Sequence, residues 1–379
     1  MEKEILCAMA LTCIPRLAGH HALEIYKDLG NTALPVFDSD EAELRQLLSP
    51  WFSAIIPDVL LAGRQAAIER ARKEWEFISK NNIKCLRYGA DDYPRRLLSC
   101  NDAPLVLYYK GTANLNPTYS LSVVGTRSCT SYGRDFCQLL MHELSLLRPD
   151  LLVVSGLAYG IDINSHRQAL SSGLTTVAVL AHGLDRIYPS AHRTTAVAML
   201  DNGGLLTEYM SGTRPEKAYF LCRNRIVAGI SDGCLVVESA AKGGSLVTAR
   251  IALDYGRDVL AVPGRIGDRY SEGCNSLISR NTAALVGSGE DIMSAMNWPM
   301  ASGEKSLRTK PVEPDLFGTL SEEETLLVNL LTGVDGKQIN QLVVESNIPV
   351  ARVSAILFEL EMKGVVRLMA GGSYHLVLR

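Results

Sequence analysis

The sequence predicts an α/β protein built on a doubly wound, mostly parallel sheet, with a helical domain before it and a winged helix after it. Three observations predict this fold class: helical spacing of apolar residues in the first part of the chain, short apolar runs alternating with helical stretches in the middle, and three helices followed by a hairpin at the end. The chain has 379 residues, more than the roughly 250–300 that one core serves, so several domains are expected.

The composition excludes several classes of protein. With 47% hydrophobic and 21% charged residues, the chain is typical of a globular protein and unlike a disordered or collagenous one. Lys and Arg number 38 against 41 Asp and Glu, a net charge of −3, so any site for a nucleic acid must be local. Nine scattered cysteines, an acidic N-terminus and no run of 18 apolar residues predict a cytoplasmic protein without disulfides or a membrane segment.

Residues 1–78 are predicted to form a helical domain. Apolar positions recur at helical spacing in Ile5–Leu11 and Ala22–Leu29, and Ile68–Phe77 is highly charged without Gly or Pro. Residues 14–19, Ile-Pro-Arg-Leu-Ala-Gly, resemble the turn of a SAM or helix-hairpin-helix module. They lack the first glycine with which such a turn approaches a phosphate, so a packing role is favoured over DNA contact.

Residues 79–300 contain the predicted sheet. The β-branched runs are nearly all apolar, as expected for strands covered on both faces, and most begin about 24–30 residues apart, the length of a strand, a crossover helix and two loops. This pattern predicts a Rossmann-like parallel sheet whose ligands bind at the carboxyl ends of the strands. The predicted strands are 121–124, 151–154, 175–180, 205–207, 234–238 and 259–262.

Glycine-rich turns follow three of these strands. They are Gly125-Thr126-Arg127, residues 155–162, and Lys242-Gly243-Gly244-Ser245. Glycine permits close backbone approach and free amides at a helix N-terminus attract anions, while Arg127 and Lys242 add positive charge. Each turn alone is also explained as an ordinary tight βα connection. Three of them at one sheet edge predict a phosphate-binding site.

Residues 214–225 carry the strongest local charge. Four bases, Arg214, Lys217, Arg223 and Arg225, stand against Glu216, a net charge of +3. Aromatic residues lie among the bases, and Phe220 is the predicted stacking platform. This arrangement is typical of a cationic groove that follows a nucleic-acid backbone and stacks an unpaired base. The alternative is a solvated helix start whose arginines pair with carboxylates.

Other ligands and catalysis are less well supported. Residues 125–130 break the Gly-x-Gly-x-x-Gly dinucleotide pattern at the second glycine, and residues 242–245 reverse the Gly-Lys-Ser order of a Walker A motif. Asp162 and His166 would share a helix face, but a helix cap for Asp162 and local packing for His166 are favoured over an acid–base pair. The sequence therefore predicts a protein that is not an enzyme and that needs no metal or cofactor.

A polar, proline-containing linker over 301–319 leads to a predicted winged helix over 320–379. Its helices are expected at 321–332, 337–346 and 350–363, and its hairpin turns at Gly371-Gly372. Five bases and seven acids give this module a net charge of −2, and its third helix has only Arg352 near the N-terminus. A helix that reads a DNA groove needs more donors, so the module is predicted to bind DNA poorly.

The ordered motifs of residues 80–300 resemble those of the DNA processing protein A (DprA/Smf) family, and the flanking domains resemble the three-part layout of some members. The matching motifs are Val124–Arg127, Ser155–Asp162 with His166, Gly183–Pro189, Phe220 with Arg223–Ile226, Gly243–Arg250, Ala261–Gly264 and Gly273–Ile278.

This resemblance implies a homodimer that binds and protects incoming single-stranded DNA in natural transformation and loads a RecA-type recombinase onto it, without enzymatic turnover. In the implied site Phe220 stacks on a base and the charged residues meet phosphates. Apolar residues in the helical stretch after the last strand are expected to supply the dimer surface, and burial in the core is the equal alternative for them; they are Leu277, Ile278, Ile292, Met293 and Met296. The site residues expected to bind DNA are Gly125, Thr126, Arg127, Lys217, Phe220, Arg223, Asn224, Arg225, Lys242, Gly243, Gly244 and Ser245.

The alternative function belongs to another class, a nucleotide-binding Rossmann enzyme resembling the lysine-decarboxylase-like phosphoribohydrolases. Those enzymes need a Pro-Gly-Gly-x-Gly-Thr loop and a downstream glutamate. Here Pro263-Gly264 is followed by Arg265, and no proline precedes Gly243-Gly244. Single-stranded DNA binding is therefore the favoured prediction.

Overall fold

The computed structural model describes residues 2–377 apart from 16, 18, 54, 55, 300–319, 333, 335 and 370–372. The predicted linker at 301–319, the hairpin turn Gly371-Gly372, and Arg16 and Ala18 of the N-terminal turn lie outside the described residues. The chain forms two compact units, residues 1–302 and 303–379. The finer predicted boundaries at 78 and 319 stay predictions.

The N-terminal part is helical, as its apolar spacing predicts. Met9 and Leu11 of the first helix and Ile25 and Tyr26 of the second are fully buried, so the predicted apolar stripes form the core. The fourth helix begins at a capping box in which Asp40 accepts from the amide of Glu43 at 2.9 Å. The helices are α1 (Glu2–Leu11), α2 (Gly19–Asp28), α3 (Leu34–Asp38), α4 (Glu41–Leu47), α5 (Pro50–Ser53) and α6 (Ile56–Lys80).

All six predicted strands occur in one nine-stranded, mostly parallel sheet, which confirms the predicted fold class. Three further strands, β1, β2 and β9, are not among those predicted from the sequence. The strands are β1 (Lys84–Arg87), β2 (Val106–Gly111), β3 (Ser120–Val124), β4 (Leu152–Ser155), β5 (Thr175–Val179), β6 (Gly203–Thr207), β7 (Gly233–Val236), β8 (Asp258–Ala261) and β9 (Ala284–Leu285).

The strand order, β1-β2-β6-β5-β4-β3-β7-β8-β9, makes the sheet doubly wound. From β3 the chain winds outward through β4, β5 and β6, and it then returns to place β7 on the other side of β3. Two pairs in this sheet are antiparallel, β1 with β2 and β2 with β6. The winding direction reverses at β3, and such a switch point leaves a crevice beyond the carboxyl ends of the strands.

Helices cover both faces of the sheet, so alternate residues of one strand enter different cores. Leu152 and Val154 of β4 pack in one core and Val153 packs in the other. This explains why the strand sequences are apolar throughout. The helices of this part are α7 (Ser131–Leu147), α8 (Ile161–Ser171), α9 (Arg193–Ala198), α10 (Lys217–Gly229), α11 (Gly244–Asp254), α12 (Glu272–Ser279) and α13 (Gly289–Ala295).

The C-terminal unit has the predicted winged-helix elements. Its first helix begins at a capping box in which Ser321 accepts from the Glu324 amide at 3.2 Å. Lys337–Gln338 forms a short strand where the sequence predicts a helix start. The elements are α14 (Glu322–Leu331), β10 (Lys337–Gln338), α15 (Ile339–Ser346), α16 (Val350–Met362), β11 (Val366–Met369) and β12 (Ser373–Leu376).

None of the described helices alone has the length and apolar character needed to cross a bilayer. The bent pair α15 and α16 meets that requirement by length and composition only when the two helices are counted together.

Candidate nucleic-acid interface

A cavity of about 270 Å³ lies at the switch point of the sheet. Its wall is formed by the residues that follow β3, β4 and β7, together with one side of α10 and the start of α11. Nine of the twelve predicted site residues line it. They are Gly125, Thr126, Arg127, Phe220, Arg223, Asn224, Gly243, Gly244 and Ser245.

The turn after β3 is fixed by a buried carboxylate. Glu238, 3% exposed, accepts hydrogen bonds from the Thr130 amide at 2.9 Å and from its hydroxyl at 2.5 Å. Thr130 is the N-cap of α7, so the carboxylate occupies the place where this helix would attract an anion. A side chain on Gly125 would collide with Ile161, which explains the glycine. This turn therefore positions Arg127 and does not offer an open helix end.

The turn after β4 is likewise engaged by the protein itself. Gly160, with φ of +77°, is the N-cap of α8, and the Asp162 carboxylate bonds back to the Ala158 amide at 3.4 Å. The prediction that Asp162 caps α8 is therefore wrong, because Asp162 is the second residue of the helix and its carboxylate holds the preceding loop. Burial raises the pKa of Asp162, and the nearby Arg223 charge opposes that rise.

The turn before α11 is the open one of the three. The N-cap of α11 is Gly243, so no N-cap side chain accepts a hydrogen bond from the first helical amides. Among the described residues, no atom lies within 4 Å of the position that a Cβ would occupy at Gly244. Ser245 is buried, and its hydroxyl donates to Ser239 Oγ at 2.9 Å. The amides at the start of α11 are therefore available to an anion, as helix N-termini are in phosphate sites.

Arg223 forms a buried cationic wall of the cavity. It is 4% exposed, and its Nη1 donates to the Val179 carbonyl at 2.5 Å. A side chain on Gly156 would collide with the guanidinium, so the glycine makes room for it. Burial lowers the pKa of Arg223, and Asp162 counters this effect. Within the described part of the chain, Arg223 Nε has no hydrogen-bond partner.

The mouth of the cavity combines a cation with two rings. The guanidinium carbon of Arg127, an exposed residue, lies 5.3 Å from the centroid of the Phe220 ring. The Tyr188 ring lies 5.9 Å from the Phe220 ring, and its residue is 47% exposed. Tyr188 is not among the predicted site residues, although it belongs to a motif that carries the family resemblance. Cation and rings at this spacing suit a phosphate beside a stacked base.

Three predicted site residues do not line this cavity. Lys217 and Lys242 are exposed, at the first residue of α10 and just before α11. Arg225 lines a different cavity and pairs with Glu208, and its Nε lies 3.9 Å from Asp102. For Arg225 the structure shows the alternative considered for this stretch, an arginine that pairs with carboxylates.

The expected dimer surface is mostly interior. Ile292, Met293 and Met296 are 0%, 1% and 9% exposed and pack in the core of the unit. Leu277 and Ile278 are half-buried. The apolar residues of α13 cover the sheet, which is why their periodicity resembles that of an interface.

The switch point of the doubly wound sheet holds a glycine-lined crevice with an open helix N-terminus, cations and aromatic rings. Together these features define an α/β binding protein for a phosphate-bearing ligand. The chain belongs to the DNA recombination-mediator protein A family, whose model matches residues 84–297. A second model, the DprA winged helix domain, matches residues 311–372.

Curated relatives and solved structures agree with this assignment. DNA processing protein DprA of Streptococcus pneumoniae is 40% identical over 54% of this chain and 71% of its own. Protein Smf of Escherichia coli is 36% identical over 79% of both chains. The X-ray structure of the S. pneumoniae protein superposes with a TM-score of 0.65 at 32% identity and covers 75% of this chain and 95% of its own.

A second solved structure, that of DNA processing protein A from Helicobacter pylori, describes the single-stranded DNA binding mode of that protein. It has a TM-score of 0.51 at 28% identity and covers 57% of this chain and 95% of its own. The matches confirm the predicted family and its function as a recombination mediator. They support this function over that of the nucleotide-binding enzyme.

Proposed function

We propose that the chain binds single-stranded DNA at the switch-point cavity and presents it to a RecA-type recombinase without changing it chemically. The observation that carries the proposal is the Arg127 guanidinium over the Phe220 ring, at the mouth of a cavity that holds the open N-terminus of α11. The cation and the helix amides attract phosphates, and the ring stacks on an unpaired base. The binding mode of the H. pylori relative supports this choice of ligand.

The titratable groups near the cavity favour holding over chemistry. Asp162 is engaged by the Ala158 amide and faces the Arg223 charge. His166 is fully buried with Nδ1 2.7 Å from the Thr176 hydroxyl, and burial lowers its pKa to about 3. A neutral, enclosed imidazole cannot reach a ligand as a general base, since such a base must lie within hydrogen-bond reach of the proton it takes.

The proposal is tested by the salt dependence of oligonucleotide binding, measured by fluorescence anisotropy with a labelled 12-nucleotide strand. Arg127→Ala and Lys217→Ala should each reduce the log–log salt slope by about 0.7, because each removes one phosphate contact. Phe220→Ala should weaken binding roughly 5- to 150-fold, or about 1–3 kcal/mol, with the slope unchanged. Lys80→Ala, which removes an exposed base at the end of α6, is the matched control.

Two outcomes contradict the proposal. If Arg127→Ala and Lys217→Ala both bind like the wild type, the strand does not use this cavity. If AMP or ATP binds tightly and DNA does not, the ligand is a nucleotide.

Presenting more than a few nucleotides requires more than one cavity, and a two-fold dimer would align two of them along one strand. The sheet ends at β9, where Leu285 is 54% exposed, and Ile278 of the preceding helix α12 is half-buried. We therefore place the dimer contact at this edge. Leu285→Lys should yield a monomer in sedimentation at micromolar concentration and slow recombinase assembly on strands coated with single-strand-binding protein. A wild-type monomer that fails to accelerate assembly would refute the mediator step and leave strand binding intact.

A further inference from the structure

The aromatic and basic stretch at 214–225 contributes to two cavities. The second has a volume of about 760 Å³ and lies beyond the carboxyl end of β6. Tyr219 and Arg225 of α10 line it, whereas Phe220, Arg223 and Asn224 line the first cavity. We propose that the second cavity is a further base-binding subsite for the same DNA strand, reached across the N-terminal turn of α10. This inference rests on the proposed function.

Both cavities open at the same edge of the sheet. β6 runs parallel to β5, β4 and β3, so the residues after β6 and those after β3 leave the sheet at one edge. Three strand spacings of about 4.8 Å separate β6 from β3, or about 14 Å. A stacked strand advances about 3.4 Å per nucleotide, so about four nucleotides connect the two cavities.

The second cavity holds its own stacking platform. The rings of Tyr209 and Tyr219 lie 4.7 Å apart at an interplanar angle of 38°, and both residues are half-buried. Burial raises the pKa of Tyr209, so its phenol stays neutral. Paired neutral rings that are partly open to solvent suit stacking with a base of any sequence.

The charges around the second cavity direct phosphates to its rim and not to its interior. Inside, Arg225 pairs with Glu208, and Arg70 Nη2 bonds to the Glu74 carboxylate at 3.0 Å and the Ser211 carbonyl at 2.5 Å. These cations are already satisfied by the protein.

Arg214, which lines the second cavity, and Lys217, the first residue of α10, are exposed and pair with no carboxylate within the described part of the chain. Both lie at the start of the helix whose side chains line the two cavities. A strand crossing α10 would therefore place its phosphates at these two cations and its bases in the cavities.

The N-terminal helices close the second cavity. Thr12 and Cys13, just after α1, line it, and Cys13 Sγ donates to Met210 Sδ at 3.3 Å. This gives the N-terminal module a packing role that shapes a site.

The test measures affinity as a function of strand length, by anisotropy with thymidine oligomers of 4, 8 and 12 nucleotides. Wild-type affinity should rise at least about 5-fold between 4 and 8 nucleotides, the effect of one more stacked base. Tyr209→Leu and Tyr219→Leu should bind the 4-mer like the wild type but lose the rise in affinity from 4 to 8 nucleotides. Phe358, which is 64% exposed on α16, supplies the control, and Phe358→Leu should keep that rise.

The outcomes separate this inference from the function on which it rests. Wild-type protein that fails to bind even the 12-mer refutes the proposed function itself. Wild-type affinity that does not rise between 4 and 8 nucleotides, or a rise that both tyrosine variants retain, refutes only the second subsite. Thymidine monophosphate whose binding is lost in Tyr209→Leu, without competing against the 8-mer, also refutes it, because the cavity would then hold a free nucleotide. Cross-links from 5-iododeoxyuridine at positions 5 to 8 to Tyr219 would support it.

Discussion

Replacing Arg225 tests whether it is a structural arginine, unlike Arg127, which is proposed to bind DNA. Arg225 pairs with Glu208, and its Nε lies 3.9 Å from Asp102, which also accepts a hydrogen bond from Tyr255. Arg225→Ala leaves Glu208 without its counter-ion in a site where burial already raises the pKa of that carboxyl. We therefore expect a loss of stability with no loss of binding at the switch-point cavity.

The magnitude follows from the burial of the pair. Breaking a buried ion pair from one side costs about 3–5 kcal/mol. The side chains of Arg225 and Glu208 are 18% and 17% exposed, which favours the lower end, about 3 kcal/mol. For a unit of about 300 residues the unfolding entropy is roughly 0.6 kcal/mol per kelvin, so Tm should fall by about 5 °C.

Differential scanning calorimetry measures Tm, and anisotropy with the 4-nucleotide oligomer measures binding at the first cavity alone. Arg225→Ala should lower Tm and keep the wild-type affinity, whereas Arg127→Ala should keep Tm and lose affinity. The double variant Glu208→Leu, Arg225→Met should recover part of the lost stability, because it leaves no uncompensated charge. An Arg225→Ala protein with wild-type Tm and weakened 4-mer binding would refute this assignment.

Three further predictions concern other groups. Burial lowers the pKa of His166 from 6.5 to about 3, so its contribution to stability is present above pH 6.5 and falls by about 2 kcal/mol between pH 7 and 5. The unfolding free energy of His166→Gln should decline less than that of the wild type over this range. An equal decline would contradict the reasoning. Glu238→Gln weakens two charge-assisted bonds to Thr130 and should cost about 1.5–3 kcal/mol in urea unfolding, whereas a neutral effect would mean that the turn is held by other contacts. Arg352 of the winged helix pairs with Glu323 at 2.6 Å. Arg352→Ala should therefore leave the affinity for duplex and single-stranded DNA unchanged in anisotropy. Weakened duplex binding would show that the winged helix contacts DNA.

Most of the sheet could be predicted because buried parallel strands are apolar on both faces and therefore leave a continuous signal in the sequence. The antiparallel strand β2 is not predicted from the sequence, although Tyr108 and Tyr109, each 2% exposed, belong to an apolar run. This run lies outside the regular spacing of strands and crossover helices, and that spacing is what identifies the other strands. β9 has two residues, too few to leave a periodic signal.

The site could be predicted only in part, because side chains close in sequence enter different environments. Arg223 and Arg225 lie two positions apart on α10, so the helix turns them about 200° from each other. One then faces the cavity, and the other meets Glu208 from the end of β6. The sequence shows that both are basic, but the partner of each is set by tertiary packing.

The same limit applies to the three glycine-rich turns, and it bears on how a strand is held. The sequence shows three helix starts, whereas the protein itself engages two of them. Glu238 accepts from Thr130 at the start of α7. At the start of α8 the Ile161 amide donates to the Thr126 carbonyl and the Ile163 amide to the Ala158 carbonyl. These contacts fix the turns before any ligand arrives, so little ordering of the backbone accompanies binding, and preorganisation of this kind favours affinity. They also leave α11 as the open helix end among the three, with Arg127 as the exposed cation at the cavity mouth. With so few cations and helix amides available for phosphates, the proposed interaction is salt-sensitive and modest, which suits the proposed transfer of the strand to a recombinase.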